Sequence, residues 1–280
     1  MPKVSIVTDS AASLSPETIQ RLGIRVLPLT IHLGTEAFRE GIDISSEQFL
    51  ARLNQAGAFP SISPPSVSAF HRVYEELSRT SNYILSLHVS SRLERVFDVA
   101  QRAAESFLGR CKIEVMDSET TSLAQGILVE AAAEAAMAGE SIEDVVRLIR
   151  GMIPHVYSIF FVDTLDYLER DGRIGMAQSI LGTMLGIKPL LTIEEGELIP
   201  MEKVRTNEKG VEKLFEFIAE FSQVERLLLV QDQFSQATAD LLEHLSMLFP
   251  GREIPIFTYG PSLAVHLGPR ALGAIIYEGM

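Results

Sequence analysis

Tyr157-Ser158-Ile159-Phe160-Phe161-Val162-Asp163-Thr164 is the stretch on which the reading of this chain turns. From Tyr157 to Val162 the run is apolar but for Ser158, the pattern of a strand covered on both faces, and Asp163-Thr164 sets side-chain oxygens where that strand ends. Directly downstream, Leu165 to Arg170 predicts a short helix capped by Asp163 or Thr164 and stopped at Asp171-Gly172. Arg173-Ile174-Gly175 then opens a second, apolar helix to Leu185. Lys188-Pro189 leads into Leu190 to Ile193, a tight Glu195-Gly196 turn and Leu198 to Val204, which predicts a β-hairpin ending in Glu202-Lys203-Val204-Arg205.

Upstream, a strand, then a hydroxyl or carboxylate, then a helix recurs four times. Val4 to Thr8 is a short apolar strand with Asp9-Ser10 at its end, and Ser15-Pro16-Glu17 opens a helix that Gly23 closes. Arg25 to Leu33 returns as an apolar, β-branched run, and Ser45-Ser46-Glu47-Gln48 carries the reciprocal capping pattern ahead of Phe49 to Leu53. Three prolines between Gly57 and Pro65 predict a rigid loop without regular structure, before Ser66 caps the next helix. Tyr83 to Val89 is a strand, Ser90-Ser91 lies at its end, and a helix follows from Leu93 to Phe107. Lys112 to Met116, Asp117-Ser118 and an alanine-rich helix to about Ala138 repeat the unit. The repetition predicts an α/β chain with an open parallel sheet whose ligands lie outside the strand carboxyl ends.

A chain of 280 residues suits two domains. Pro154-His155 is the expected join, giving an N-terminal α/β domain over 1–155 and a C-terminal mixed α+β domain over 156–280, with the ligand between them. In the second, an amphipathic helix (Glu208 to Phe221), a strand (Arg226 to Val230), a helix (Ser235 to Phe249) and a strand (Ile254 to Thr258) follow the hairpin. His266 then falls in an apolar, strand-like context before Gly268-Pro269 and a terminal strand from Ala274 to Tyr277.

A net charge of −13 and the absence of Trp argue against nucleic acid, whose phosphates need a basic face and whose bases need aromatic platforms. A single Cys111 offers no internal disulfide, the first residues lack a secretory pattern and no apolar run reaches about 18 residues, so the cytoplasm is the default expectation. No phosphate-binding loop, dinucleotide fingerprint, nucleophile elbow, H-E-x-x-H or paired-cysteine spacing occurs, and no cofactor or metal is implied. A small-molecule hydrolase or transferase using Ser91 or Ser10 with His266 stands as the alternative, although nothing local in sequence activates either serine.

Val162-Asp163-Thr164-Leu165-Asp166-Tyr167-Leu168, Gly172-Arg173-Ile174-Gly175, Lys188-Pro189 and Glu202-Lys203-Val204-Arg205, in this order, resemble the signature run of the DegV family, bacterial fatty-acid-binding proteins also called FakB. The resemblance extends from Val4-Ser5-Ile6-Val7-Thr8-Asp9-Ser10 to His266-Leu267-Gly268-Pro269-Arg270-Ala271-Leu272-Gly273 and covers nearly the whole chain. It implies a two-domain DegV-like fold and a carrier without catalysis of its own. The implied ligand is a long-chain fatty acid of the palmitate-to-oleate class. The implied partner is a separate ATP-dependent fatty-acid kinase, which makes an acyl phosphate for phospholipid synthesis or exchange at the membrane. A monomer is the default.

The resemblance also implies the site. In the family a Thr-Ser-Gln-Pro-Ser loop, a Ser-Ser-x-Leu-Ser-Gly-Thr turn and a histidine in His-x-Gly-Pro hold the carboxylate, which in a partly dry pocket needs two or three donors. Here these read Ile62-Ser63-Pro64-Pro65-Ser66, Ser90-Ser91-Arg92-Leu93-Glu94-Arg95-Val96 and His266-Leu267-Gly268-Pro269. Ser63, Ser91 and His266 match, Ile62 replaces a threonine hydroxyl, and Arg95 replaces a glycine at which backbone should approach the ligand. Ser91, like Ser66, reads equally as a helix cap. The acyl chain would lie along Met176, Ile180, Leu181, Met184 and Leu185, a stripe that also reads as plain core. Arg173 and Arg205 are the implied phosphate or kinase-docking residues, since arginine's planar fork suits an acyl phosphate; Arg173 equally reads as an ion-pair partner of Asp163 or Asp171.

Overall fold

Runs of apolar, β-branched residues too short to cover themselves must stack edge to edge and be roofed by helices. The computed structural model describes residues 4–55, 57–170, 186–233 and 235–279. In chain order its first part holds β1 (Val4–Asp9), α1 (Pro16–Leu22), β2 (Arg25–Leu27), β3 (Thr30–Leu33), β4 (Glu36–Arg39), α2 (Ser46–Gln55), β5 (Pro60–Ser63), α3 (Val67–Ser78), β6 (Tyr83–His88), α4 (Val96–Ala104), β7 (Lys112–Asp117), α5 (Ser122–Met137) and α6 (Ile142–Met152). The second holds β8 (Val156–Val162), α7 (Asp166–Arg170), β9 (Lys188–Glu194), β10 (Glu197–Val204), α8 (Asn207–Ala219), β11 (Arg226–Gln231), α9 (Gln236–Leu248), β12 (Ile256–Thr258), α10 (Pro261–Leu267) and β13 (Ala271–Tyr277).

The parallel sheet forms in the order β2-β1-β6-β7, and β1 buries every residue. The second sheet runs β10-β9-β8-β13-β11-β12, antiparallel except where β11 meets β12. β8 and β13 alternate between two cores. Phe160, Val162, Ala271 and Ile275 face the apolar cluster that continues into the parallel half, while Ile159, Phe161, Leu272 and Ile276 face one under α8 and α9 built on Leu214, Ile218, Leu241 and Leu245. Double coverage is why Tyr157 to Val162 carries no polar alternation. Among the described residues, no helix is long and apolar enough to cross a membrane.

Local chemistry fixes the ends. The Ser45 hydroxyl accepts from the Gln48 N–H and the Gln48 side chain accepts from the Ser45 N–H, both at 3.2 Å, the reciprocal cap that the sequence spells. Glu195 and Gly196 both have positive φ, 48° and 81°, as a two-residue hairpin turn requires.

Three local expectations are corrected. The proline-rich stretch after Gly57 is not all loop: Pro60–Ser63 is a strand on the edge of a small antiparallel sheet, β4-β3-β5, and a proline that opens an edge strand removes no ladder bond. Arg25 to Leu33 accordingly splits, β2 staying in the parallel sheet and β3 leaving it. The helix expected from Leu93 begins at Val96, because the Leu93 and Glu94 N–H groups both turn back to the Ser90 carbonyl. His266 lies in a helix rather than in an extended segment, with Pro261 at the first helical position of α10.

Candidate functional site

All seven residues of α10 are buried, so the His266 ring is delivered into the interior, and both ends of the helix are pinned. At its start the Ser262 N–H donates to Glu40 Oε1 at 2.8 Å, and Glu40 Oε2 accepts from the Ser10 hydroxyl at 2.6 Å. Burial raises the Glu40 carboxyl above its ordinary range, the bonds from Ser10 and Ser262 oppose the rise, and nearby Asp9 adds to it. At its end Gly268 has φ +79°, and a Cβ there would stand 2.5 Å from the Tyr167 ring, so the position accepts glycine on two counts. The Tyr259 hydroxyl donates to the Gly268 carbonyl at 2.9 Å. The His266-Leu267-Gly268-Pro269 turn is thus clamped between two tyrosines.

The loop after β6 meets α10 and the hairpin tip. Ser90 is buried; its hydroxyl donates to the Gly196 carbonyl at 2.8 Å and accepts from the Arg92 N–H. Arg92 also reaches Glu197 at 3.0 Å. Ser91 is exposed, and its N–H donates to Asp117 Oδ2 at 3.0 Å. Glu94 is the residue of this loop that faces the histidine: its Oε1 lies 3.4 Å from His266 Nε2, with the two side chains 13% and 3% exposed.

Ser63 ends β5, which packs against α10, and its hydroxyl lies 2.9 Å from His32 Nε2 on β3. Ile62 is half-buried and packs on the main core. The structure therefore brings Ser63, Ile62 and His266 to one region with the Glu94 loop, and leaves Ser91 facing outward. Arg205 is exposed just beyond β10. Arg173 and the Met176–Leu185 stripe lie outside the described residues. Asp163 carries two cations, Lys188 at 2.6 Å and Arg270 at 2.9 Å.

Sequence reasoning passed over a second histidine. Asp9, His88, Ser86 and Tyr74 form a buried relay: His88 Nδ1 lies 2.8 Å from Asp9 Oδ2, His88 Nε2 2.7 Å from the Ser86 hydroxyl, and Ser86 2.7 Å from the Tyr74 hydroxyl. The order of groups is that of a hydrolase triad, but all four side chains are fully buried and the serine is covered by the tyrosine, so no substrate reaches it. The remaining Asp9 lone pairs accept from the N–H groups of Ala11 and Val89 and from the Gln125 amide. Ser10 is equally committed, donating to Glu40 and accepting from the Leu29 N–H at 2.9 Å.

Three clefts walled by described residues include none of Ser63, Ser91 and His266. One of about 650 Å³ runs past Ser10, Glu40, Glu47 and Thr258, one of about 800 Å³ past Asn82, Cys111 and Lys112, and one of about 860 Å³ past Arg150, Tyr157 and Phe221.

The sequence profile of the DegV family matches residues 3–279. The chain belongs to the DegV family. A DegV domain-containing protein of Listeria innocua is 31% identical over 275 residues, 97% of each chain. Among solved structures, the DegV family protein of Thermus thermophilus, studied for its fatty acid binding, superposes with a TM-score of 0.88 at 32% identity, covering 99% of this chain and 100% of its own. DegV of Bacillus subtilis, a fatty acid binding protein, gives 0.88 at 29% identity over the whole of both chains. The mixed α/β architecture, a parallel sheet beside a mixed one, is that of these DegV proteins. Set against the DegV turn motif, Glu94 stands where the third serine is expected, an exchange of a donor for an acid that a position-by-position reading of Ser90 to Val96 exposes.

Proposed function

We propose that this protein binds a long-chain fatty acid of the palmitate-to-oleate class between its 1–155 and 156–280 parts and presents the carboxylate to a separate ATP-dependent kinase. The observation that carries the reading is full-length structural likeness, at about 30% identity, to DegV proteins that bind fatty acids. Ser63, Ser91 and His266, with Ile62 beside them, hold the carboxylate. The tail runs along the Met176–Leu185 stripe. Arg173 and Arg205 form the surface for phosphate or kinase. The chain itself breaks no bond; it shields the tail and orients the acid, and the acyl phosphate made by the kinase feeds phospholipid synthesis or membrane exchange from the cytoplasm, with the carrier monomeric.

The engagement of Ser10 with Glu40 and Leu29 favours binding over a hydrolase that uses Ser10 as its nucleophile. Native mass spectrometry after gentle purification tests the reading. A co-purified acid of palmitate-to-oleate mass is expected; a ligand-free chain that also fails to take up fluorescent fatty acid rejects it.

A further inference from the structure

The cleft of about 650 Å³ past Ser10 and Glu40 lies where α1, β2, the β4–α2 loop and the start of α10 meet. Sites for small organic molecules commonly enclose about 300–1,000 Å³. Ile19, Val26, Pro28, Ile42, Ile44 and Pro261 give this one apolar walls. Its charged lining is wholly acidic, Asp9, Glu40, Asp43 and Glu47, without lysine, arginine or histidine. Three of these acids are engaged within the protein. Asp9 is held by His88 and backbone N–H groups, and Asp43 by the guanidinium and N–H of Arg39. Glu47 is held by its own N–H and by the Ser45 and Thr258 hydroxyls, which keep its carboxyl below the ordinary range.

Glu40 differs. It is 5% exposed and bonded only by neutral donors, the Ser10 hydroxyl on one oxygen and the Ser262 N–H on the other. Among the described residues no lysine, arginine or histidine pairs with it. Gly260 makes room for it, since a Cβ there would stand 2.9 Å from Glu40 Oε1. A carboxylate offers about four lone-pair positions, so acceptor capacity remains. Burying it without a counter-charge is costly, and burial here lifts the carboxyl above its ordinary range. An ammonium group relieves that cost through a charge-assisted bond. An anion meets only like charge, and the N-terminus of α2, which would otherwise attract one, is filled by Ser45, Gln48 and Glu47. We propose that this cleft is a second ligand site, which takes a small organic cation with its ammonium end on Glu40 and a compact apolar body against Ile19, Val26 and Ile44. The inference stands apart from the lipid reading, because the cleft includes none of Ser63, Ser91 and His266.

Isothermal titration calorimetry of the full chain at neutral pH, with phenethylamine and with phenethyl alcohol, compares two ligands of like shape and different charge. The proteins are the native chain, Glu40→Gln, Ile42→Arg and His266→Ala. Glutamine keeps an acceptor for the Ser262 N–H and removes the charge. Ile42 is 58% exposed, so arginine there sets a cation at the cleft without disturbing the core. The amine is expected to bind the native chain about tenfold more tightly than the alcohol. That preference should fall below about threefold in Glu40→Gln and in Ile42→Arg, and persist in His266→Ala. Failure of the amine to bind, equal binding of amine and alcohol, a preference that survives in either of the first two variants once folded, or its loss in folded His266→Ala overturns the inference. Should Glu40→Gln fail to fold, Ile42→Arg decides.

Discussion

His88 and His266 each face a carboxylate, Asp9 at 2.8 Å and Glu94 at 3.4 Å. The first pair lies in the middle of the parallel sheet, fully buried, with both Asp9 oxygens bonded and the far nitrogen of the ring occupied by Ser86. The second lies where a loop, an edge strand and a short helix converge, at a longer separation and with Glu94 in partial contact with solvent. Residue type does not separate the two pairs. Spacing and access do: the fully buried Asp9–His88 network fixes the scaffold, whereas the Glu94–His266 pair is more widely spaced and its carboxylate reaches partial contact with solvent.

The largest expected effect strikes the saturated pair. Asp9→Ala leaves His88 and two N–H groups without their acceptor and takes one of its two acceptors from the Gln125 amide, and should cost about 3–5 kcal/mol of unfolding free energy in a urea titration. A loss below about 1 kcal/mol would dissolve the contrast. Gly268→Ala comes next: positive φ and the Tyr167 ring together should cost roughly 1–3 kcal/mol and disturb the end of α10. Calorimetry reads the first effect and lipid retention the second. His266→Ala should lower palmitate affinity about tenfold, or ~1.4 kcal/mol, with a smaller stability loss than Asp9→Ala. Unchanged retention would remove His266 from the site. The smallest effect is a slope. The buried Glu40 carboxyl holds its proton more tightly folded than unfolded, so this contribution to stability is complete below its ordinary value of 4.5 and is lost as pH rises through the folded value. Glu40→Gln should flatten that decline in urea midpoints measured against pH.

Most of the fold was legible because its signals are local. Tyr157 to Val162 has to be doubly covered, Ser45 and Gln48 make their cap within four residues, and Glu195-Gly196 dictates its own turn. Pro60–Ser63 was not legible as a strand, since what makes it one is β3, which supplies a pairing edge from nearly thirty residues upstream. The site was less readable still. Ser63 and His266 can be singled out one at a time, but the bond from His32 to Ser63 and the approach of Glu94 to His266 are products of tertiary packing, with 172 positions (266 − 94) between the latter two. Ser90 and Ser91 are adjacent and chemically identical; only the fold turns one inward to Gly196 and the other to solvent.

The docking of the Gly196 carbonyl on Ser90 has a mechanical consequence. A Cβ at position 196 would fall 2.4 Å from the serine oxygen, so the tip of the β9–β10 hairpin sits on the loop with no room to slide. β10 then runs eight residues, roughly 25 Å at about 3.3 Å each, to Arg205 at its far end. The hairpin thus joins the turn around Ser90 to the exposed Arg205 by one strand of the six-stranded sheet, anchored at its tip by Ser90 and along its length by β9.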